Sequence, residues 1–444
     1  MGSRLLFAVF FLYIILQGAL RKWGFPSLGT PLYLFQYALA FLYFLNTPKT
    51  RSFKKYEVSP SFWGILSFYM GYGVLEALNM GGTDNFIVQG YGLVMHFAFV
   101  PFVFCISRTL QDEETFDLYL RWLTLLLIPV FLLGVSQYFA SPDALINRYA
   151  TDKNDGTYEV VTNHGTGRVR IAGTFSYLAT YASFLCFILH LLFHGVIKSI
   201  ITNKLNPIYL GVFGFGFINL FMTGSRGPTG YYILSEGIAI ALLAISGQVK
   251  FLKNLIPLGI ALFLGFTIMM ATNVGSDAFG GFMQRFDNTS DLEGRIEDSF
   301  SPLKYFDQAG LFGYGIGTAQ IPMEPYLTNR LEMPGYWEEE GERIVIELGL
   351  MGYVIVMLVR WAIAFACYAI YKRIRKLEYK ILAIQMTAFQ LPFLINLQSN
   401  IFNYIDGMFY WIAIGFVYFA YVMDKKYKEK LEVQTQDSVI LPQQ

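Results

Sequence analysis

The chain has 444 residues, of which 55% are hydrophobic, 18% aromatic and only 15% charged, with a mean hydropathy of +0.44. This composition lies outside the usage of soluble proteins and indicates a polytopic membrane protein. The formal net charge of +1 excludes the broad basic field by which proteins bind nucleic acid.

The apolar segments predict the main elements. A helix that spans a membrane needs about 20 mostly apolar residues, and the apolar runs here are continuous, which predicts helices rather than barrel strands. We expect an all-α protein with about twelve spans. In chain order they lie near residues 5–20, 31–46, 61–79, 86–107, 119–140, 173–196, 206–223, 227–246, 251–271, 344–371, 378–398 and 404–423.

The positive residues predict the orientation of these spans. Lysine and arginine are concentrated in alternate connections and in the C-terminal segment, as is typical of the cytoplasmic side. Both termini are therefore expected inside, and the two long loops, about residues 141–172 and 272–343, outside. We predict one transmembrane domain over residues 1–423 and a disordered polar cytoplasmic tail over residues 424–444.

Arginines of the outside connections form the first candidate site. Arginine keeps its charge at any working pH and binds phosphate through two parallel hydrogen bonds, so a group of them suits a diphosphate at the level of the lipid headgroups. The alternative for each is a side chain that snorkels or forms a surface salt bridge. The candidates are Arg168, Arg170, Arg226, Arg285, Arg295 and Arg343.

The acidic cluster at residues 338–342 is the second candidate. A partly desolvated carboxylate near cations can accept a proton from an attacking hydroxyl, and Glu338 and Glu340 are the candidates for that role. The alternative is a solvated helix N-terminus, where the helix dipole favours glutamate. Arg343 and Glu347 are four residues apart and can simply pair with each other.

Other polar residues carry weaker signals. His190 and His194 have the spacing of a metal-binding pair but no carboxylate nearby in sequence, so we expect a structural role. His164 is an alternative base in the first long loop. Glu236 and Arg360 fall inside predicted spans, where an isolated charge is costly, so each should pair or face a cavity. No metal or cofactor is predicted, and the three cysteines lie in apolar runs as packing residues.

Glycine recurs at positions 313, 315 and 317. No predicted strand precedes these residues, so they do not indicate a dinucleotide site. Because glycine lacks a Cβ atom, they predict a tight turn or a close approach of two backbone segments.

Three sequence motifs resemble those of a known family. They are residues 167–175 (Gly-Arg-Val-Arg-Ile-Ala-Gly-Thr-Phe), residues 223–227 (Thr-Gly-Ser-Arg-Gly), and residues 311–318 (Leu-Phe-Gly-Tyr-Gly-Ile-Gly-Thr) followed by 346–352 (Ile-Glu-Leu-Gly-Leu-Met-Gly). In this order the chain resembles the O-antigen polymerase and O-antigen ligase superfamily, bacterial polytopic glycosyltransferases that use undecaprenyl-diphosphate-linked glycans. The resemblance implies a GT-C-like fold in the bacterial inner membrane, with a metal-independent site on the outer face.

The resemblance also implies a reaction. An acceptor sugar hydroxyl would attack the anomeric carbon of the lipid-linked glycan and expel undecaprenyl diphosphate, whose growing charge arginines would stabilise. We expect Arg170, Arg226 and Arg295 to hold the diphosphate, with Arg168 and Arg285 as alternates. Glu338 or Glu340 would act as the base or orient the acceptor.

A departure from the family favours one of its two activities. Ligases of the family usually carry a histidine before the Glu-x-Gly helix, and residues 337–343 contain none, so we expect a polymerase, with a ligase as the alternative. The expected partners are the lipid-linked oligosaccharide, the acceptor glycan, membrane lipid and other polysaccharide assembly proteins. Rivals from other classes are a non-catalytic subunit of an export complex and a lipid-linked oligosaccharide flippase, which should place its charges at mid-membrane depth.

Overall fold

A computed structural model describes most of the chain and is helical nearly throughout. The described residues are 2–48, 60–79, 81, 85–150, 160–162, 167–202, 204, 206–272, 276, 279–280, 301–327, 340–395 and 404–440. Within them, the β pairing consists of an isolated bridge between Thr162 and Val169. The all-α prediction is confirmed for this part of the chain.

Most of the helices are joined by short connections, and the longest connections span residues 140–177, 271–305 and 310–339. The first eight are α1 (Gly2–Ala19), α2 (Gly29–Asn46), α3 (Pro60–Glu76), α4 (Phe86–Phe97), α5 (Phe102–Leu110), α6 (Glu113–Phe139), α7 (Leu178–Ile201) and α8 (Pro207–Met222). They are followed by α9 (Arg226–Ile245), α10 (Val249–Met270), α11 (Phe306–Ala309), α12 (Glu340–Arg373), α13 (Leu377–Gln390), α14 (Pro392–Ile395) and α15 (Tyr404–Ile440).

Several of these helices can cross a membrane. In the described part of the chain, seven are long and apolar enough, and the pair α4 and α5, bent by 49°, would make an eighth. The number of long apolar helices is therefore consistent with a multi-pass membrane protein. The twelve-span count and the GT-C-like fold stay predictions.

The centre of the bundle is formed by α7, α13 and α15. In the most apolar 18-residue stretch of α15, 94% of the residues are buried, and in that of α7 78% are. In the corresponding stretches of α2 and α9 only 28% are buried. A helix that exposes most of an apolar surface is typical of the lipid boundary. The core helices are thus buried in the bundle, whereas α2 and α9 present apolar side chains outward.

Charged residues from connections predicted to be cytoplasmic meet at one end of the bundle. Glu113, at the start of α6, accepts hydrogen bonds from Lys198 at 2.7 Å and Lys376 at 3.0 Å. Arg4 lies 3.4 Å from Asp112 beside them. The structure therefore groups these connections as the charge pattern requires, and the compartment that they face stays a prediction.

Helix α15 continues through the polar C-terminal segment. Residues 424–440 are helical, where the sequence predicts a disordered tail. Asp424 is buried and accepts hydrogen bonds from the backbone N–H groups of Arg375 and Lys376 at 3.0 and 2.8 Å. Lys428 pairs with the same carboxylate at 2.6 Å, so the first turns of this segment are fixed to the bundle.

Helix α12 folds back on itself at Gly349. This residue has φ 64° and ψ −167°, a conformation that glycine adopts without a Cβ penalty. In a straight helix, Glu340 and Arg360 would be about 30 Å apart at 1.5 Å per residue. Arg360 Nη2 nevertheless lies 2.5 Å from Glu340 Oε1. Residues 340–348 therefore form a short arm that lies against the long arm, residues 350–373.

Candidate functional site

Arg170 joins two of the sequence motifs. Its Nε donates a hydrogen bond to the carbonyl oxygen of Thr223 at 2.9 Å, and its Nη2 donates one to Ser225 Oγ at 3.1 Å. Arg226, the next residue, is half-buried and is the first residue of α9. The structure therefore brings Arg170 to the turn that carries Arg226, and the binding of a diphosphate by these residues stays a prediction.

The turn before α9 has a definite local cause. Gly224, two residues after the end of α8, lies in the left-handed region at φ 61°, and Ser225 is extended, so the chain reverses within a few residues. Arg226 then begins a helix whose N-terminal N–H groups and dipole favour negative charge. An anion at this position would meet a guanidinium and a helix N-terminus together.

Buried polar side chains brace the segment that follows Arg170. Lys22, only 2% exposed, donates from Nζ to the carbonyl oxygen of Gly173 at 2.8 Å. Gln137 Oε1 accepts a hydrogen bond from the N–H of Gly173 at 2.7 Å, and Gln137 Nε2 donates one to the carbonyl oxygen of Gly173 at 3.0 Å. Arg21 donates to Ser176 Oγ at 3.0 Å. These hydrogen bonds fix the backbone at Gly173 and Ser176, in the segment that directly follows Arg170.

Aromatic side chains flank the same segment. The guanidinium of Arg168 lies 5.6 Å from the ring centre of Phe139 and 5.9 Å from that of Tyr138, which are cation–π distances. Burial raises the pKa of Tyr149, so its hydroxyl keeps its proton and donates to the carbonyl oxygen of Arg170 at 2.6 Å. Arg168 and Arg170 are therefore both held by groups from the end of α6 and the loop after it.

The Gly-rich segment, residues 310–320, packs against the break in α12 at Gly349. Backbone hydrogen bonds join the two segments and supply partners to the groups that the break removes from the helix. From N–H to carbonyl oxygen they are Tyr314 to Ile346 at 2.8 Å, Gly315 to Glu347 at 2.9 Å, Leu350 to Gly310 at 3.1 Å and Met351 to Leu311 at 3.1 Å. The two parts of the third motif, residues 311–318 and 346–352, are thus a single structural unit.

Glycine is required at three positions of this segment. Gly313, Gly315 and Gly317 have φ values of 70°, 101° and 91°. A Cβ atom on each would lie closer than 3.0 Å to backbone atoms of Gly349, Asn79 and Val88, respectively. The predicted close approach of backbone segments is confirmed.

Glu347 is the centre of a buried polar network. Its Oε2 lies 2.8 Å from His96 Nε2, and its Oε1 accepts a hydrogen bond from Gln320 Nε2 at 2.9 Å. The other ring nitrogen of His96 lies 2.8 Å from the hydroxyl of Tyr69. The carboxylate therefore connects α12 with α4 and with the end of the Gly-rich segment. Both of its oxygens are engaged in this way, where the sequence suggested a pair with Arg343.

Glu340 forms a buried ion pair with Arg360, where the sequence suggested either a base or a solvated helix N-terminus. Glu340 and Arg360 are 0% and 1% exposed, and Arg360 also donates to the carbonyl oxygen of Phe393 at 3.2 Å. The expectation that Arg360 is paired is confirmed. Arg343 lies one turn after Glu340 and is 2% exposed. The fold-back at Gly349 accounts for the burial of both residues.

The remaining predicted residues divide into two groups. Glu338, Arg285 and Arg295, like His164, lie outside the described residues. His190 is buried, with its ring nitrogens 2.7 Å from the carbonyl oxygen of Cys186 and 2.9 Å from Ser235 Oγ, which agrees with a structural role. In the described part of the chain, no group of three or more histidine, cysteine or acidic side chains is placed to hold a metal ion.

Sequence reasoning missed several of the residues that build these sites. Tyr69, His96, Gln320 and Lys22 are not among the candidates that the sequence analysis names. His96 lies inside a predicted span, so the rule that singled out Glu236 and Arg360 as costly intramembrane polar groups would also have found it. A contact with Glu347 has no comparable local signal.

The chain was also compared with known proteins. No protein-family model matches it, and no curated protein matches it.

Proposed function

We propose that the chain is a polysaccharide repeat-unit polymerase, which transfers a glycan from undecaprenyl diphosphate to a sugar hydroxyl of an acceptor glycan at the outer face of the bacterial cytoplasmic membrane. The observation that supports this most is the pairing of the motifs. Arg170 bonds to Thr223 and Ser225 of the second motif, and the Gly-rich segment bonds to residues 346–351. A site assembled from separate loops requires such contacts between them.

The arginines would act on the leaving group. As the glycosidic bond breaks, negative charge grows on the lipid diphosphate, and fixed cations stabilise that state more than the ground state. Arg170 has a fixed orientation because two of its guanidinium nitrogens bond to the 223–225 turn. We assign the diphosphate to Arg170 and Arg226, with Arg168, Arg285, Arg295 and Arg343 as further ligands of the same anion.

The acidic residues would divide two tasks. Glu340 is committed to Arg360 at 2.5 Å, so we assign to it the holding of the two arms of α12. Glu338 precedes that arm by two residues and is the remaining candidate to accept the proton of the attacking hydroxyl. The Gly-rich segment and the Glu347 network would fix the position of the short arm relative to α4.

The first experiment replaces Arg170 and Arg226 by alanine, with Arg170→Lys to separate charge from hydrogen-bond geometry. Arg4→Ala is the matched control, since Arg4 lies at the opposite end of the bundle in an exposed pair with Asp112. We expect the site variants to lose long glycan chains and to accumulate single lipid-linked units on the outer face, while the control polymerises normally. Normal chain lengths in both site variants would refute the proposal.

A transporter of lipid-linked oligosaccharides is a second candidate, favoured by a different observation. Discontinuous helices and charges deep in the membrane are typical of transporters, and this chain has the break at Gly349 and the buried pair of Glu340 and Arg360. The same variants separate the two functions. A defective transporter accumulates lipid-linked units on the cytoplasmic face, and a defective polymerase on the outer face.

A further inference from the structure

A second acidic site, at the largely buried Glu236, lies away from the residues discussed above. Glu236 is near the middle of α9, a helix long and apolar enough to span the membrane. Its Oε2 accepts a hydrogen bond from Gln385 Nε2 at 3.0 Å, and its Oε1 lies 3.8 Å from His190 Nε2. An ionised carboxylate in such a place is costly unless a positive charge or a proton compensates it.

Three oxygen atoms at this site lack a hydrogen-bond partner among the residues that the structure describes. They are Glu236 Oε1, Gln385 Oε1 and the hydroxyl oxygen of Tyr232, which faces the same carboxylate, and all three are buried. The first two belong to the groups that the bond between Gln385 Nε2 and Glu236 Oε2 already holds side by side. A carboxylic acid and a primary amide pair through two bonds, N–H to C=O and O–H to C=O. One proton on Glu236 Oε1 would therefore satisfy the first two oxygens.

The neighbouring histidine offers a second place for that proton. His190 Nδ1 faces the carbonyl oxygen of Cys186 at 2.7 Å, and a carbonyl only accepts, so Nδ1 carries a hydrogen. Ser235 Oγ lies 2.9 Å from His190 Nε2 and 2.9 Å from the carbonyl oxygen of Tyr232. The single hydroxyl hydrogen of Ser235 is donated either to His190 Nε2 or to the carbonyl oxygen of Tyr232. When it is donated to the carbonyl oxygen, His190 Nε2 must itself donate to Ser235 Oγ. His190 is then a cation beside the Glu236 carboxylate.

The surroundings contain few competing charges. The helices packed against α9 are α7, α10, α13 and α14. Among the described side chains, the titratable groups that face the site besides His190 are Cys186 on α7 and Tyr232 on α9 itself, while α13 supplies the neutral amide of Gln385. Helix α14 (Pro392–Ile395) has no titratable side chain, and on α10 Lys253 is exposed.

We propose that Glu236 and His190 form a proton-binding site within the membrane span. One proton resides on Glu236 Oε1 or on His190 Nε2. Its transfer breaks the Oε1–H bond and forms the Nε2–H bond, so a neutral acid and imidazole become a carboxylate and an imidazolium. The hydroxyl hydrogen of Ser235 turns from Nε2 to the carbonyl oxygen of Tyr232 in the same step. This site is independent of the proposed glycosyl transfer.

The test uses the full chain in lipid nanodiscs. Infrared spectra report the carboxylic acid, and ¹⁵N labelling of the four histidines reports the imidazole, with His190 assigned by the signal lost in His190→Gln. We expect Glu236→Gln to remove a carboxylic acid band and to alter the His190 signals. The control Glu114→Gln, at an exposed glutamate of α6, should leave both unchanged.

Further outcomes decide the identity of the bound cation. Replacing sodium by choline at constant pH should not change the spectra, and a change that Glu236→Gln abolishes would mean a sodium site and overturn the proposal. His190→Gln leaves Glu236 as the one place for the proton, so its acid band should strengthen. An unchanged acid band in that variant, or unchanged band and His190 signals in Glu236→Gln, would also overturn it.

Discussion

Glu347 and His96, 251 positions apart in the chain, lie 2.8 Å from each other with both side chains fully buried. This contact connects α4 to the break in α12, and Gln320 connects the same carboxylate to the end of the Gly-rich segment. Three parts of the chain therefore meet at one carboxylate. The position of the short arm of α12 depends on it.

Replacing Glu347 tests the structural weight of this network. Glu347→Ala leaves the buried polar groups of His96 and Gln320 without their partner, so we expect a loss of about 3–5 kcal/mol in stability. Glu347→Gln keeps the shape and should lose less. Thermal unfolding of the purified protein measures the difference, with Glu114→Ala as an exposed control. If Glu347→Ala has the same melting temperature as the wild-type protein, the network does not hold the short arm of α12 in place.

The Gly-rich segment gives a second prediction. Gly315→Ala places a Cβ atom closer than 3.0 Å to the backbone of Asn79 and adds the strain of positive φ, about 1–2 kcal/mol. We expect a lower yield of folded protein and a lower melting temperature. Gly259→Ala in α10 is the matched control, since nothing lies within 4 Å of the added atom. Equal behaviour of the two variants would contradict the observed packing of the segment.

The pair of Glu340 and Arg360 gives a third prediction. Removal of either partner leaves a buried uncompensated charge, so Glu340→Ala and Arg360→Ala should each cost about 3–5 kcal/mol. The double variant removes both charges and should cost clearly less than the sum of the two single changes. A double-mutant cycle on the melting transition measures this coupling. Additive losses would mean that the two arms of α12 are not held by this pair.

The sequence predicts the helices well and the fold-back poorly. Continuous apolar runs determine where helices form. The glycines at positions 313, 315 and 317 predict a close approach of backbone segments, which is confirmed. Residues 344–371, however, present one continuous apolar run, and nothing in it distinguishes Gly349 from an ordinary helical glycine. The burial of Glu340 follows from that single conformation, which the local sequence pattern does not contain.

The candidate sites were predictable to different degrees. Arginine chemistry led to the expectation that Arg170 and Arg226 come together, and Arg170 does reach the turn before Arg226. The partners of Glu347 depend on packing between α4 and α12, which a local pattern does not contain. The polar composition of the segment from residue 424 predicts disorder. In the structure, Asp424 accepts hydrogen bonds from the backbone of the α12–α13 connection, and helix α15 continues through the segment.

The most direct test of the proposed function is polymerisation by the purified chain. Proteoliposomes that contain only this protein and lipid-linked repeat units should yield longer lipid-linked glycans and release undecaprenyl diphosphate in equal steps, both measured by mass spectrometry. We expect Arg170→Ala and Arg226→Ala to lower both products at least tenfold, about 1.4 kcal/mol of transition-state stabilisation, and Arg4→Ala to leave them unchanged. Elongation at the wild-type rate in both site variants, or none by the wild-type protein, would contradict the proposal.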